Sequence, residues 1–134
     1  MTAKSSSAAR SLPGSGGVHR VPELRFRIRI SDGELIAVGP GKVALLEAID
    51  KTGSITAAAK SLDMSYRRAW VLLDELNRSL RHAAVDSAKG GAAGGGSVLT
   101  DAGRELVSLY RTIESKAAVA GRPEIRRLMS MLAS

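Results

Sequence analysis

Between Gly53 and Ser65 the chain leaves room for little except a short helix packed closely against its neighbours. Ile55, Ala58, Ala59 and Leu62 fall at i, i+3, i+4 and i+7, so one narrow stripe of a two-turn helix is apolar. Two members of that stripe are alanine, and such small side chains let another helix approach for a tight crossing. Gly53 accepts the left-handed conformation that ends a preceding helix, and Ser54 is placed to cap a helix from Ile55 to about Leu62. Asp63-Met64 makes a short turn, after which Ser65 can cap a third helix from Tyr66 to about Arg81. Its buried stripe is Ala69, Leu72, Leu73, Leu76 and Leu80. At about 100° per residue, Arg67, Val71, Asp74 and Arg78 point directly away from it, with Arg68 and Trp70 on the two flanks.

The flanking segments complete the pattern. Residues 24–30 alternate strictly, with Leu24, Phe26, Ile28 and Ile30 on one side and Arg25, Arg27 and Arg29 on the other, which predicts a strand. Asp32-Gly33 is favoured hairpin-turn chemistry, and Leu35 to Val38 returns. Gly39-Pro40-Gly41 closes the hairpin. Pro40 suits the first position of a helix, because its missing N–H would have no partner there. That helix runs to about Lys51, with Leu45, Leu46 and Ile49 on one face. Beyond the third helix, Ala84-Val85-Asp86 and Ser97-Val98-Leu99 read as short strands. Five of the chain's 14 glycines fall within residues 90–96, the composition of a flexible hairpin tip. Thr100 caps a long helix to about Val119, whose Ala102, Leu106, Leu109, Ile113 and Ala117 step by three or four like a coiled-coil seam. After Gly121-Arg122-Pro123, a last short helix carries Ile125, Leu128, Met129 and Leu132.

Composition narrows the function. A length of 134 residues is most economically one domain with a single core. With no cysteine there is no disulfide framework, thiolate zinc site or cysteine nucleophile. The longest apolar runs, such as Leu35-Ile36-Ala37-Val38, fall far short of the ~20 residues that span a bilayer. The first twenty residues hold no apolar block of the secretory kind. The expectation is therefore a cytoplasmic protein with no membrane partner. Its formal net charge of +7 favours polyanions, above all nucleic acid. Residues 1–22, rich in Ser, Ala, Gly, Pro and Arg, read as a disordered basic arm, 23–99 as the folded domain, and 100–134 as a dimerisation helix with a short C-terminal helix. His19 and His82 have no second ligand at metal spacing, so neither a metal nor another cofactor is expected. Gly41-Lys42 followed by Val43 does not make a phosphate loop. No nucleophile, base and orienting group come together, which argues against an enzyme.

Three helices with a tight turn between the second and third, followed by a Gly-tipped hairpin, form a winged helix-turn-helix. The expected fold is mainly α, with an N-terminal β-hairpin, a Gly-rich β wing and a long C-terminal dimerisation helix. The stretches Gly53-Ser54-Ile55-Thr56-Ala57-Ala58-Ala59, Met64-Ser65-Tyr66-Arg67-Arg68-Ala69-Trp70, the glycine run to Gly96 and Leu99-Thr100-Asp101-Ala102-Gly103 resemble the ModE family. These are molybdate-responsive bacterial transcriptional regulators, and the likeness is to their N-terminal, LysR-like DNA-binding domain over roughly residues 24–119. The resemblance implies a homodimer with two recognition helices on a two-fold operator, and a separate C-terminal part that binds molybdate. The chain ends where that part would begin, so molybdate binding is not expected from this chain alone, and a stand-alone regulator is.

Within that fold Arg67 is the best candidate for a bidentate guanine contact, with a phosphate contact or plain solvation as the other reading. Ser65, Tyr66 and Arg68 sit with it at the helix start, where free N–H groups favour phosphate. Val71 suits a thymine methyl, or partial cover by Arg67 or the wing. Ser54, Thr56, Lys60 and Lys89 would supply backbone contacts. Trp70 is expected to pack beside the first helix or the wing root. Arg25, Arg27 and Arg29 read as a solvated strand face. Leu106, Leu109, Ile113 and Ala117 would form the dimer seam, since one domain this small cannot hide so long a stripe. The expected function is a dimeric, sequence-specific DNA-binding regulator, a repressor, whose partners are double-stranded DNA and a second copy. A winged-helix interaction module and a nonspecific architectural DNA binder are the alternatives.

Overall fold

The computed structural model describes residues 20–87 and 96–133. In chain order the elements are β1 (Ile30–Asp32), β2 (Leu35–Val38), α1 (Pro40–Thr52), α2 (Ile55–Ser61), α3 (Tyr66–Ser79), β3 (Val85–Ser87), β4 (Ser97–Leu99), α4 (Asp101–Ala120) and α5 (Arg122–Ser130). The fold is a mainly α winged helix-turn-helix. Two antiparallel hairpins, β1–β2 and β3–β4, flank the trihelical unit. The expected basic arm falls mostly on residues 1–19, and the expected glycine tip on 88–95. Both lie outside the described residues.

Helix α1 is the hub. Val43, Leu45, Leu46 and Ile49 are fully buried, each side chain worth about 1.5–3 kcal/mol on burial. Around α1 pack α2 through Ala58 and Ala59, α3 through Ala69, Leu73 and Leu76, the wing through Ala84, Val85 and Leu99, and α4 through Tyr110. Pro40 opens α1 at its first turn. Gly53 ends it at φ 77°, its N–H donating to the Ile49 carbonyl at 2.7 Å.

The N-terminal strand is much shorter than the alternation over 24–30 predicts. Only Ile30 of that stretch enters the ladder, and the register shifts between Ile30 and Ser31. The partner explains it. β2 runs four residues before Gly39 and Pro40 turn into α1, so residues 24–29 have no strand to pair with. The side preference survives only in the middle of the stretch, since Leu24 and Ile30 are exposed. Phe26 and Ile28 are half-buried, Arg25, Arg27 and Arg29 are exposed, and the buried Tyr110 hydroxyl donates to the Ile28 carbonyl at 2.8 Å. Burial pushes the Tyr110 hydroxyl above its ordinary pKa. The β1–β2 turn places Gly33 at φ 65°, followed by Glu34, which fits glycine at the first central position of a two-residue hairpin loop. Helix α3 ends at Ser79, slightly before the expected Arg81, because Leu80 is already extended.

Two junctions hold α4. Arg111 makes a bidentate pair with Glu47 of α1, at 2.9 Å from Nε and 2.6 Å from Nη2, and binds Glu114 at 2.7 Å. The Arg111 hydrogen bonds hold the Glu47 carboxyl below its ordinary pKa. At the start of the helix, Thr100 caps α4 by accepting the Gly103 N–H at 3.0 Å, while its hydroxyl donates to the Ala83 carbonyl at 2.6 Å. Gly103 rests on the wing root, where an added Cβ would stand 2.2 Å from the Ala84 carbonyl oxygen.

Gly103→Ala should therefore cost about 1–3 kcal/mol through forced displacement of the wing root. Gly41→Ala, with nothing within 4 Å of the added carbon, should be neutral or stabilising by up to about 1 kcal/mol. Urea unfolding midpoints of both variants decide this. The Glu47 pair also gives acid sensitivity a defined sign. A carboxyl whose folded pKa is depressed contributes stability above its unfolded value, near 4.5, and loses it as pH falls through the lower folded value. In melts from pH 6 to pH 3, as a rough span, the stability gap between the parent and Glu47→Gln should narrow only below about pH 4.5.

Candidate nucleic-acid interface

The turn between α2 and α3 is built by local chemistry. Ser54 caps α2 by accepting the Ala57 N–H at 2.9 Å, and Ser65 caps α3 by accepting the Arg68 N–H at 3.0 Å. Between them Asp63 adopts φ 58°, a left-handed conformation that Asp tolerates better than most residues. Asp63 N–H donates to Lys60 and Met64 N–H to Ala59, at 3.1 and 3.0 Å. This is the paired bonding of a Schellman motif, and Met64 adds the apolar contact that accompanies it by packing on the core. The chain can thus reverse within a few residues and set α3 across α2.

Helix α3 buries Ala69, Leu73 and Leu76, with Leu72 and Leu80 half-buried. Tyr66, Arg67, Arg68 and Val71 are all exposed, Val71 at 48%. The first turn of α3 contains no acidic residue. Among the described residues, Arg67, Arg68 and Lys60 make no ion pair with an acidic side chain. Further along the same face Arg78 is neutralised by Asp74 at 3.0 Å. Available positive charge is therefore concentrated at the N-terminal end, where the helix dipole adds to it. Ser65 and Ser54 each accept a backbone N–H and keep a hydroxyl hydrogen free to donate outward.

Trp70 departs from its expected place beside α1 or the wing root. It is 42% exposed, and its ring stands edge-on to Tyr66, with centroids 6.3 Å apart and planes at 76°. The i, i+4 spacing on α3 explains the pairing. Two aromatic rings thus border the outward strip that carries Arg67 and Val71.

On α2, Thr56 and Lys60 are exposed and Ser54 is half-buried. The wing root is tied to the same region, since Ser97 N–H donates to the Gly53 carbonyl at 3.0 Å. Lys89, expected at the wing, lies outside the described residues. Asn77, which the sequence pattern did not single out, joins the end of α3 to the wing by accepting the Ala84 N–H at 2.8 Å.

The α4 seam divides. Leu106 is half-buried against the domain's own core and Ala117 is half-buried, whereas Leu109 and Ile113 are 56% and 51% exposed. Leu109 and Ile113 line an apolar groove of about 460 Å³ with Ile30, Val38, Leu80 and Leu106. Helix α5 buries none of its residues. Among the described residues no cluster of three His, Asp or Glu side chains could hold a metal, and no helix is long and apolar enough to cross a membrane.

Residues 41–104, from the start of α1 into α4, match the bacterial regulatory helix-turn-helix protein family of lysR type. The chain is 47% identical over 81 residues to the molybdenum-pterin-binding protein MopB of Rhodobacter capsulatus, covering 60% of this chain and 30% of that protein. It is 42% identical over 78 residues to the molybdenum transport protein ModE of Azotobacter vinelandii, covering 58% and 29%. It is also 42% identical over 71 residues to the DNA-binding transcriptional dual regulator ModE of Escherichia coli K12, covering 53% and 27%. The chain thus spans less than a third of the length of these relatives. What it shares with them is a ModE-like helix-turn-helix domain over up to 60% of its length, of which residues 41–104 match the lysR type.

Proposed function

We propose that this chain is a sequence-specific, DNA-binding transcriptional regulator that acts as a homodimer in the cytoplasm and represses by occupying its operator. The observation that carries the proposal is the outward face of α3. It presents Arg67, Arg68, Tyr66 and Val71 from a capped helix start free of acids, on a domain of the type that the relatives carry. Arg67 reads a guanine by a bidentate contact, and Val71 meets a thymine methyl. Tyr66, Arg68 and Ser65 bind phosphate and sugar at the helix start. Ser54, Thr56, Lys60 and the wing's Lys89 fix the register on the backbone. The Leu109 and Ile113 face, with Leu106 and Ala117, joins two copies. The dimer places the recognition helices about 34 Å apart, one turn of the duplex.

Selection of duplexes from a random pool with the full chain tests the proposal. Enrichment of a two-fold sequence with half-sites one turn apart is expected. Equal affinity for all duplexes at fixed salt would instead make the protein an architectural binder. Arg67→Ala should lose about 1–3 kcal/mol on the enriched duplex and relax preference at one base pair. Lys60→Ala should weaken all duplexes alike and lower the salt slope by about one. In light scattering, Leu109→Asp with Ile113→Asp should convert a dimer to a monomer. An unchanged mass would remove α4 from the interface.

A further inference from the structure

Lys42 occupies a place in the core that an apolar residue would be expected to fill. It stands at i to Leu45, Leu46 and Ile49 at i+3, i+4 and i+7, in the stripe of α1 that faces the rest of the domain. The residue is only 4% exposed. A buried ammonium must be paired to be tolerated. Its Nζ lies 3.1 Å from Glu75 Oε1 on α3 and donates to the Ile36 carbonyl of β2. One charge therefore joins β2, α1 and α3 at a single point. It engages α3 on the flank beside Arg68 and Leu72, because Glu75 stands one turn beyond Val71 at i+4. The pair joins a buried lysine to a half-buried glutamate, and such a pair is weak evidence for stability, because well-packed apolar side chains can often replace it at little loss. It specifies geometry instead: Leu73 and Leu76 tolerate small rotations of α3 against α1, whereas a directed ion pair with a second, backbone acceptor does not.

We infer that Lys42 and Glu75 are positioning residues that fix the rotation and depth of α3, so that Arg67 and Val71 meet the base edges in register. The inference rests on the DNA-reading role of α3 proposed above. Lys42 itself does not reach DNA, since its charge is enclosed.

The test uses the full chain and the duplex that the parent enriches from a random pool, with a scrambled duplex as reference. The double variant Lys42→Met/Glu75→Leu removes the pair and keeps an apolar filling. It should melt close to the parent and keep the parent's salt slope. Its preference for the enriched duplex should fall about tenfold, the size of one lost base-reading contact. Trp70, the chain's one tryptophan, sits on α3 and reports its seating without DNA, so iodide quenching of its emission should change. Lys42→Arg should retain preference and quenching. If the double variant does not fold, Glu75→Gln takes its place with the same expected loss of preference. Preference and quenching equal to the parent's would overturn the inference, as would a salt slope lowered by about one, which marks a direct phosphate contact. Should the parent enrich no duplex, the DNA-reading role fails, and quenching alone decides: a changed value supports the seating role and an unchanged value overturns it.

Discussion

Helix α1 is enclosed along roughly 160° of its circumference, the arc from Leu45 through Ile49, Lys42 and Leu46 to Val43 at 100° per residue. Helices α2, α3 and α4 and strand β4 all pack against α1. Space around one rod is limited, so the elements that share it must be thin where they meet it. Ala58 and Ala59 on α2 and Ala69 on α3 satisfy that requirement. A larger side chain at any of the three would push its helix away from α1 and tilt α3 with it. The alanine stripe of α2 is therefore a condition on how α3 is presented, although α2 supplies little apolar area itself.

Charge is arranged with the same economy. The acids of the trihelical unit are largely committed to partners inside the protein. Glu47 binds Arg111, Glu75 binds Lys42 and Asp74 binds Arg78. Exposed pairs such as Asp74–Arg78 contribute little to stability, but they decide where uncompensated charge remains. On α2 and α3 it remains at Lys60, Arg67 and Arg68, around the start of α3. Other cations without acidic partners, such as Lys51, Arg81 and Arg127, lie elsewhere on the described surface; what sets Arg67 and Arg68 apart is their place in the first turn of a capped helix, where helix N–H groups also point outward.

The fold was legible in the sequence wherever structure depends on neighbouring residues. Ser54, Ser65 and Thr100 cap the helices that follow them, Gly53 ends α1 in the left-handed region, and the stripes of α2 and α3 turn inward as their spacing predicts, with Leu62, Leu72 and Leu80 half-buried at their margins. Legibility failed where a distant partner decides the outcome. The alternation over 24–30 turns only Phe26 and Ile28 partly inward, and a ladder needs a facing strand, whereas β2 is spent by Gly39. Arg111 finds Glu47 across 64 positions, and Tyr110 finds Ile28 across 82. Lys42 is the instructive case. Its position in the α1 stripe was visible, but a lysine there reads as a break in the pattern until Glu75 is brought beside it. Trp70 errs in the other direction: size and apolarity argue for burial, whereas its place on the flank of α3 and the pairing with Tyr66 leave it at the surface.

The path from α3 to α4 matters because a dimeric reader needs its two recognition helices at a fixed separation. Asn77, in the last turn of α3, accepts from Ala84. The Ala84 carbonyl accepts the Thr100 N–H at 2.9 Å, and Thr100 caps α4. Gly103 lets α4 sit directly on that same carbonyl. The end of α3 and the start of α4 are thereby joined through one residue of the wing root, with backbone groups and no flexible side chain beyond Asn77 in the path. Midway along, α4 is held against α1 by the bidentate Arg111 pair. A helix anchored at its start and its middle is rigid between those points, the stretch that carries Leu109. Any contact made through Leu109 and Ile113 would therefore fix α3 in space as firmly as it fixes α4. The wing root, whose sequence looks like a mere connector, would then be the part through which the proposed pairing of two copies sets the distance between their reading helices.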